Sequence, residues 1–250
     1  MPLPGDASGL QPPGAPLTPP VLPIATLTFF GLLLLVFAGQ LFLLPGGVFV
    51  PVGLAFVPGE LFGGAERAGV LLAIPPPATL VTYQFIHAGW LHLLGNLVFL
   101  WVFGPRVEQT LGPGRWTVLL LACGAGAALA HAWVDPSSPV AMVGASGAVS
   151  GILGACLFLH PRAELRLLLP VFITLRFVEL PAWVLLISWL LLQLLYSNWT
   201  EIVPGGVAFQ AHLGGFVCGL LLAPMLHSLA LLSADAPTVA RTLRSRDSSY

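Results

Sequence analysis

Six apolar runs dominate this chain, and each approaches the length of about 20 residues that a helix needs to cross the hydrocarbon core of a bilayer. They fall at about Ile24–Leu44, Phe85–Phe103, Trp116–Val134, Met142–Leu159, Leu180–Tyr196 and Val207–Leu226. The second can continue as helix toward Gly112. A backbone in lipid must satisfy its own hydrogen bonds, so the runs are expected to be helices. The implied fold is an all-α membrane protein, a bundle of six transmembrane helices. Only 8% of the 250 residues are charged, against roughly a quarter in soluble domains, so water is not the solvent for most of the surface.

Three segments divide the chain. Residues 1–23, rich in Pro and Gly, are expected to be a disordered tail, and the first apolar run reads as a retained span rather than a signal peptide. Residues 24–229 form the membrane domain, and residues 230–250 a flexible tail. A long, Pro-broken connection follows the first span, and an amphipathic stretch, Leu167–Phe177, precedes the fifth. All nine basic residues are Arg. An up-and-down path puts Arg106, Arg115, Arg162, Arg166, Arg176, Arg241, Arg244 and Arg246 on one face and only Arg67 on the other. That asymmetry predicts cytoplasmic termini. A net charge of −1 excludes a basic nucleic-acid surface. Cys123, Cys156 and Cys218 lie inside apolar runs and read as small buried hydrophobes, with no disulfide framework and no metal site.

Spans two, four and six all start at the outer face, and the unusual polar residues lie near their N-terminal ends. These are His92 and Asn96 in span two, Gly144-Ala-Ser146-Gly147 in span four, and Ala211-His212 in span six. Ionisable groups in hydrocarbon are costly and normally face the bundle interior, so a shared polar pocket is expected. Ser146 is the candidate nucleophile. His212 is the candidate base, because an imidazole with a pKa of about 6.5 can take and return a proton near neutrality. Gly147 and Gly151, and Gly215 and Gly219, are spaced four apart and would let spans four and six approach closely. His92 and Asn96 share a helix face and could stabilise an oxyanion with the Ser146 backbone amide, at a helix N-terminus. No acid lies in these three spans, which favours a Ser–His dyad over a triad.

Singly, each motif also reads as structure. A Gly-Ala-Ser-Gly run packs helices, a lone membrane His can be a satisfied structural residue, and a His/Asn pair can staple two helices. Their coincidence at one depth carries the joint reading. His131, His160 and His227 read as structural span-end residues, while His87 could support the site. Asp135 and Glu201 read as solvated loop residues. A zinc protease would need His-Glu-x-x-His, and Gly144-x-Ser146-x-Ala148 is not the hydrolase elbow Gly-x-Ser-x-Gly. No aspartate pair lies within the spans. A transporter would call for paired broken spans, which the sequence lacks.

Taken together, the motifs resemble the rhomboid family of intramembrane serine proteases. The residues that carry the resemblance are His87-Ala-Gly-Trp-Leu-His92-Leu-Leu-Gly-Asn96, Gly104-x-x-x-Glu108-x-x-x-Gly112, Gly144-Ala-Ser146-Gly147, Glu179-Leu-Pro-Ala-Trp183 and Ala211-His212-x-x-Gly215-x-x-x-Gly219. The resemblance runs from about Ile24 to Leu226 in the right order. It implies a rhomboid six-helix bundle around a water-filled cavity. It also implies a cofactor-independent serine endopeptidase that cuts single-pass membrane proteins near the outer face. Ser146 and His212 would be the dyad, with His92 and Asn96 in the oxyanion site. Gly144, Gly147, Gly215 and Gly219 would support it. Glu108 would brace the loop after span two, the alternative being a surface ion pair with an Arg. Two departures stand out. Ala78-Thr79 replaces a Trp-Arg pair common in the first outer loop, and Ser150 replaces an aromatic that in some members packs on the base. A non-catalytic rhomboid-like binder of membrane helices is the competing reading. Span five and the loop Ser197–Gln210 are the expected lateral gate, and a bacterial plasma membrane the expected location.

Overall fold

Each of the six apolar runs contains a long helix, but that of the second run starts only at Trp90 and that of the fourth only at Ser146. The computed structural model describes residues 22–43, 50–64, 74–171, 174–197 and 209–247. Most of the tail expected over residues 1–23 and most of the gate loop Ser197–Gln210, with Glu201, therefore lie outside the described residues. The long helices are α1 (Ile24–Leu43), α4 (Trp90–Leu111), α5 (Pro113–Val134), α6 (Ser146–Leu159), α7 (Ala182–Ser197) and α8 (Phe209–Asp247). Two short helices, α2 (Pro58–Phe62) and α3 (Thr79–Thr82), lie in the connection between α1 and α4. Among the described residues, four helices are long and apolar enough to cross a membrane: Ile24–Phe42, Trp90–Leu111, Pro113–Val134 and Phe209–Leu232. Ser146–Leu159 and Ala182–Leu195 are shorter apolar helices.

The turn between α4 and α5 shows how sequence sets a boundary. Gly112 adopts a φ of 80°, a left-handed value that suits glycine, and Pro113 opens the next helix with its φ already fixed. Residues 142–145 were expected to begin a span, yet helix starts only at Ser146. Gly144 has a φ of 117°, which no helix accommodates, and Met142 instead bridges Phe56 in antiparallel fashion. The amphipathic stretch before span five, Leu167–Phe177, proves to take in parts of both strands of an antiparallel pair. Strand β1 (Glu164–Val171) pairs with β2 (Thr174–Pro181), and Arg166 lies opposite Glu179. The Arg166 guanidinium also covers the Phe177 ring at 4.7 Å. The backbone of α8 continues as helix to Asp247, through a stretch read from sequence as a loose tail. Leu and Ala around residues 229–236 favour that continuation.

Helix α6 is the hub. Every residue from Gly147 to Cys156 is buried, and α4, α5, α7 and α8 all pack on it. Small residues allow the closest of these contacts. A Cβ added at Gly215 would strike the carbonyl of Gly147, one at Gly219 that of Gly151, and one at Gly154 that of Phe216. The α6 and α8 backbones therefore touch, as the four-residue glycine spacing predicts.

Candidate active site

The first turn of α6 lies beneath a cavity of about 550 Å³. Ser146, His92 and His212 all line it, with Tyr83, Gly144 and His131. A second cavity of about 210 Å³ adjoins the same group, and its walls include His92, Asn96, Ser146, Ser150, Trp189 and His212. Three of the four residues singled out for chemistry thus border both spaces, and Asn96 borders the smaller.

Ser146 is the first residue of α6. Its amide is one of the helix N-terminal N–H groups that have no intrahelical acceptor, at the positive end of the dipole. The extended lead-in is pinned from behind, since Gly144 N–H donates to Tyr83 O at 2.9 Å and the Tyr83 hydroxyl donates to Gly124 O at 2.7 Å. His92 packs its ring directly on Gly144: a Cβ there would sit 2.5 Å from His92 Nε2. Position 144 thus needs glycine twice, for its φ and for this ring. Gly147 admits Ala127 on one side, which keeps α5 close to the first turn of α6.

Asn96 is buried and donates through Nδ2 to His87 Nε2 at 2.9 Å. His87 in turn donates from Nδ1 to Phe85 O at 3.3 Å, so its tautomer is defined. Gln40 of α1 clamps His87 from both sides of its peptide. Its Nε2 donates to His87 O at 2.9 Å, and its Oε1 accepts from His87 N–H at 3.0 Å. The His87 and His92 rings meet edge to face at 5.2 Å. A chain of contacts therefore leads from α1 through His87 to Asn96 and His92. One Asn96 N–H faces His87, and its second amide hydrogen is the one available to a ligand.

His212 sits among aromatic rings. Trp189 of α7 lies 6.1 Å away and tilted by 37°, and Phe209 meets it edge-on at 6.2 Å. Its Nδ1 is 2.8 Å from Gln193 Oε1. No hydrogen bond joins Ser146 Oγ and His212, though both border one cavity. Catalytic hydrogen bonds are often long before substrate binds. Ser150 turns its hydroxyl back onto Ser146 O at 2.7 Å and offers the imidazole no ring.

Glu108 lies elsewhere. Its carboxylate is buried and accepts from Ala25 N–H at 2.8 Å, Thr26 N–H at 2.7 Å and Thr26 Oγ1 at 2.7 Å. It caps the first turn of α1 rather than pairing with an Arg. Asp135 is a loop residue whose Oδ1 accepts from Ser137. Sequence reasoning did not foresee the contacts of Gln193, Trp189 and Gln40. Gln193 carried a usable signal: it is an amide within an otherwise apolar stretch of α7, Trp189–Leu195. His131, read as structural, lines the larger cavity, and its Nδ1 is buried without a hydrogen-bond partner.

Comparison with known proteins adds a family pattern. The Rhomboid domain family matches residues 77–229. The chain is 34% identical over 161 residues to Rhomboid-like protein 11, chloroplastic, of Arabidopsis thaliana, covering 62% of this chain and 54% of that protein. It is 30% identical over 144 residues to Rhomboid protease GlpG of Serratia proteamaculans, covering 57% and 46%. It is 37% identical over 97 residues to Rhomboid protease GluP of Bacillus subtilis, covering 39% and 18%. The chain spans about half or less of the length of these curated relatives.

Proposed function

Because this chain belongs to the rhomboid family, an integral membrane family, we propose that it is an intramembrane serine endopeptidase in which Ser146 attacks and His212 acts as general base. The observation that carries this reading is the position of both residues on one cavity at the N-terminal end of α6. His212 takes the Ser146 proton as Oγ attacks a substrate carbonyl. The oxyanion that forms is assigned to the Ser146 N–H, His92 and Asn96, residues that line the smaller cavity together. His212 then returns the proton to the leaving amine, and a water activated by the same imidazole releases the acyl group.

All six long helices traverse the bilayer in this reading, with both termini cytoplasmic by the Arg bias. The 14 residues of α6 cover only about 21 Å of a hydrocarbon core about 30 Å thick. Ser146 thus begins its helix below the outer surface, where water reaches it through the larger cavity. Substrates are single-pass membrane proteins whose helices unwind locally at the cut. They enter between α4 and α7, where the smaller cavity separates Phe99 from Trp189. A bacterial plasma membrane is the proposed location, supported in part by an Arg-only, Ala/Gly/Pro/Leu-rich composition of the kind a GC-rich bacterial genome encodes.

The test is cleavage of a reporter single-pass protein in liposomes. Ser146→Ala and His212→Ala are each expected to lower kcat by at least about 10³-fold while unfolding unchanged. Undiminished cleavage by either purified variant would rule the mechanism out.

A further inference from the structure

The geometry points to Gln193 as a positioning residue that fixes the tautomer of His212, in the role a carboxylate fills in a triad. This inference rests on the reading of His212 as the base. Gln193 Oε1 lies 2.8 Å from His212 Nδ1. A carboxamide oxygen has lone pairs and no hydrogen, so it only accepts. Nδ1 must therefore carry the ring hydrogen, and Nε2 keeps its lone pair. That tautomer lets Nε2 receive a serine proton, whereas the other would present an N–H to Ser146.

Two further observations support the assignment. Trp189 lies one turn before Gln193, on the same face of α7. Its ring covers His212 at 6.1 Å and also stacks on Phe216 at 5.9 Å. Helix α7 therefore supplies both an acceptor and an aromatic wall to the imidazole. The position one turn after the nucleophile is Ser150, which bonds backward to Ser146 O. The second observation concerns cost. Leu190, Leu191, Leu192 and Leu194 surround Gln193 in sequence, and an amide in such a stretch is unfavourable unless paired. His212 is the partner that satisfies it. A neutral acceptor orients the ring without the larger desolvation penalty of a membrane-buried carboxylate. The titratable groups that line the cavities with His212 are His92, His131 and Tyr83, and no acid is among those lining residues.

The experiment uses the full chain in liposomes with the reporter substrate, and compares Gln193→Leu and Gln193→Glu. Gln193→Leu is expected to lower kcat by about 10²-fold with KM within about twofold, because a base in the wrong tautomer or orientation fails in the chemical step. Gln193→Glu restores an acceptor and most of kcat. It also moves the acid limb of kcat/KM to higher pH, since a carboxylate against Nδ1 stabilises the imidazolium. The 15N shifts of His212 report the tautomer independently of turnover: Nδ1 protonated in the native chain, mixed in Gln193→Leu. Native kcat, pH profile and 15N shifts in Gln193→Leu would overturn the inference. A native chain that neither cleaves the reporter nor takes up a fluorophosphonate at Ser146 would overturn the protease reading, and the 15N spectrum would still decide the pairing.

Discussion

Glu108 stands four turns and more along α4 from His92, about 24 Å at the helical rise. It borders neither cavity, yet it is the one Asp, Glu or Arg side chain buried among the described residues. Its two oxygens satisfy two backbone amides and one hydroxyl of α1. Gly104, one turn before Glu108, leaves the space Thr26 occupies, since a Cβ there would meet Thr26 Cγ2 at 2.9 Å. Glu108→Ala orphans the two amides and is expected to cost about 3 kcal/mol, whereas Thr26→Val removes one hydrogen bond and costs about 1.5 kcal/mol. The unfolding midpoint in mixed detergent micelles reads both. Cleavage per folded molecule should stay near the native value, and a selective loss of kcat would refute a purely structural role. Legibility in the sequence follows the same division. Ser146, His92, Asn96 and His212 could be found because polar residues recurred at one depth in alternate spans. The cap by Glu108 could not, because nothing in one sequence says which helix end lies beside position 108. Gln193 was visible as an isolated amide, but its partner depends on the rotation of α7 against α8, and a helix apolar on all sides does not encode that rotation.

At the scale of elements, contact between α6 and α8 sets the distance between Ser146 and His212. Gly147 follows Ser146 directly, and Gly215 lies one turn after His212, so their contact sits beside the chemistry. A methyl group at residue 215 would have to displace the Gly147 carbonyl. Gly215→Ala is expected to destabilise by about 2 kcal/mol through overpacking. It should also lower kcat by about 10²-fold, because a shift of about 1 Å at the reacting groups is enough. Gly31→Ala, where an added Cβ meets nothing within 4 Å, is the matched control and should leave stability unchanged or raise it by up to about 1 kcal/mol. Stability and cleavage measured on both variants check this. Equal, small effects at residues 31 and 215 would mean the backbones are not in contact. The small-residue spacing made this interface legible. The strand pair was not foreseen because Glu164–Pro181 mixes charges and apolar residues in a way that fits an amphipathic segment of either kind, and only the antiparallel register, from Glu164 opposite Pro181 to Val171 opposite Thr174, identifies it as β.

For the whole molecule, the contrast between α6 and α7 decides what can move. Ten consecutive residues of α6 are buried, whereas in α7 only Ala182 and Leu186 are buried among the described side chains. Leu191, Leu192, Leu194 and Leu195 are exposed to the surroundings, which in a membrane are lipid. An element with so few buried contacts opens at low cost, while the hub it leans on stays fixed. The smaller cavity lies between α4 and α7, so displacement of α7 would widen a path that leads directly to Ser146. That motion would also draw Gln193 away from His212. The base would thus be correctly set only once α7 has closed back, which ties chemistry to a seated substrate. The prediction is separable. Replace Cys123, Cys156 and Cys218 by Ala, place cysteines at Phe99 and Leu192, and join them with a flexible, cleavable crosslinker. Cleavage of a membrane reporter should fall by at least about tenfold if a moving α7 admits it, and recover when the linker is cut. Labelling of Ser146 by a small fluorophosphonate should persist, because the larger cavity reaches the nucleophile from another side. Unchanged cleavage of the reporter in the crosslinked chain would move substrate entry away from the α4–α7 edge.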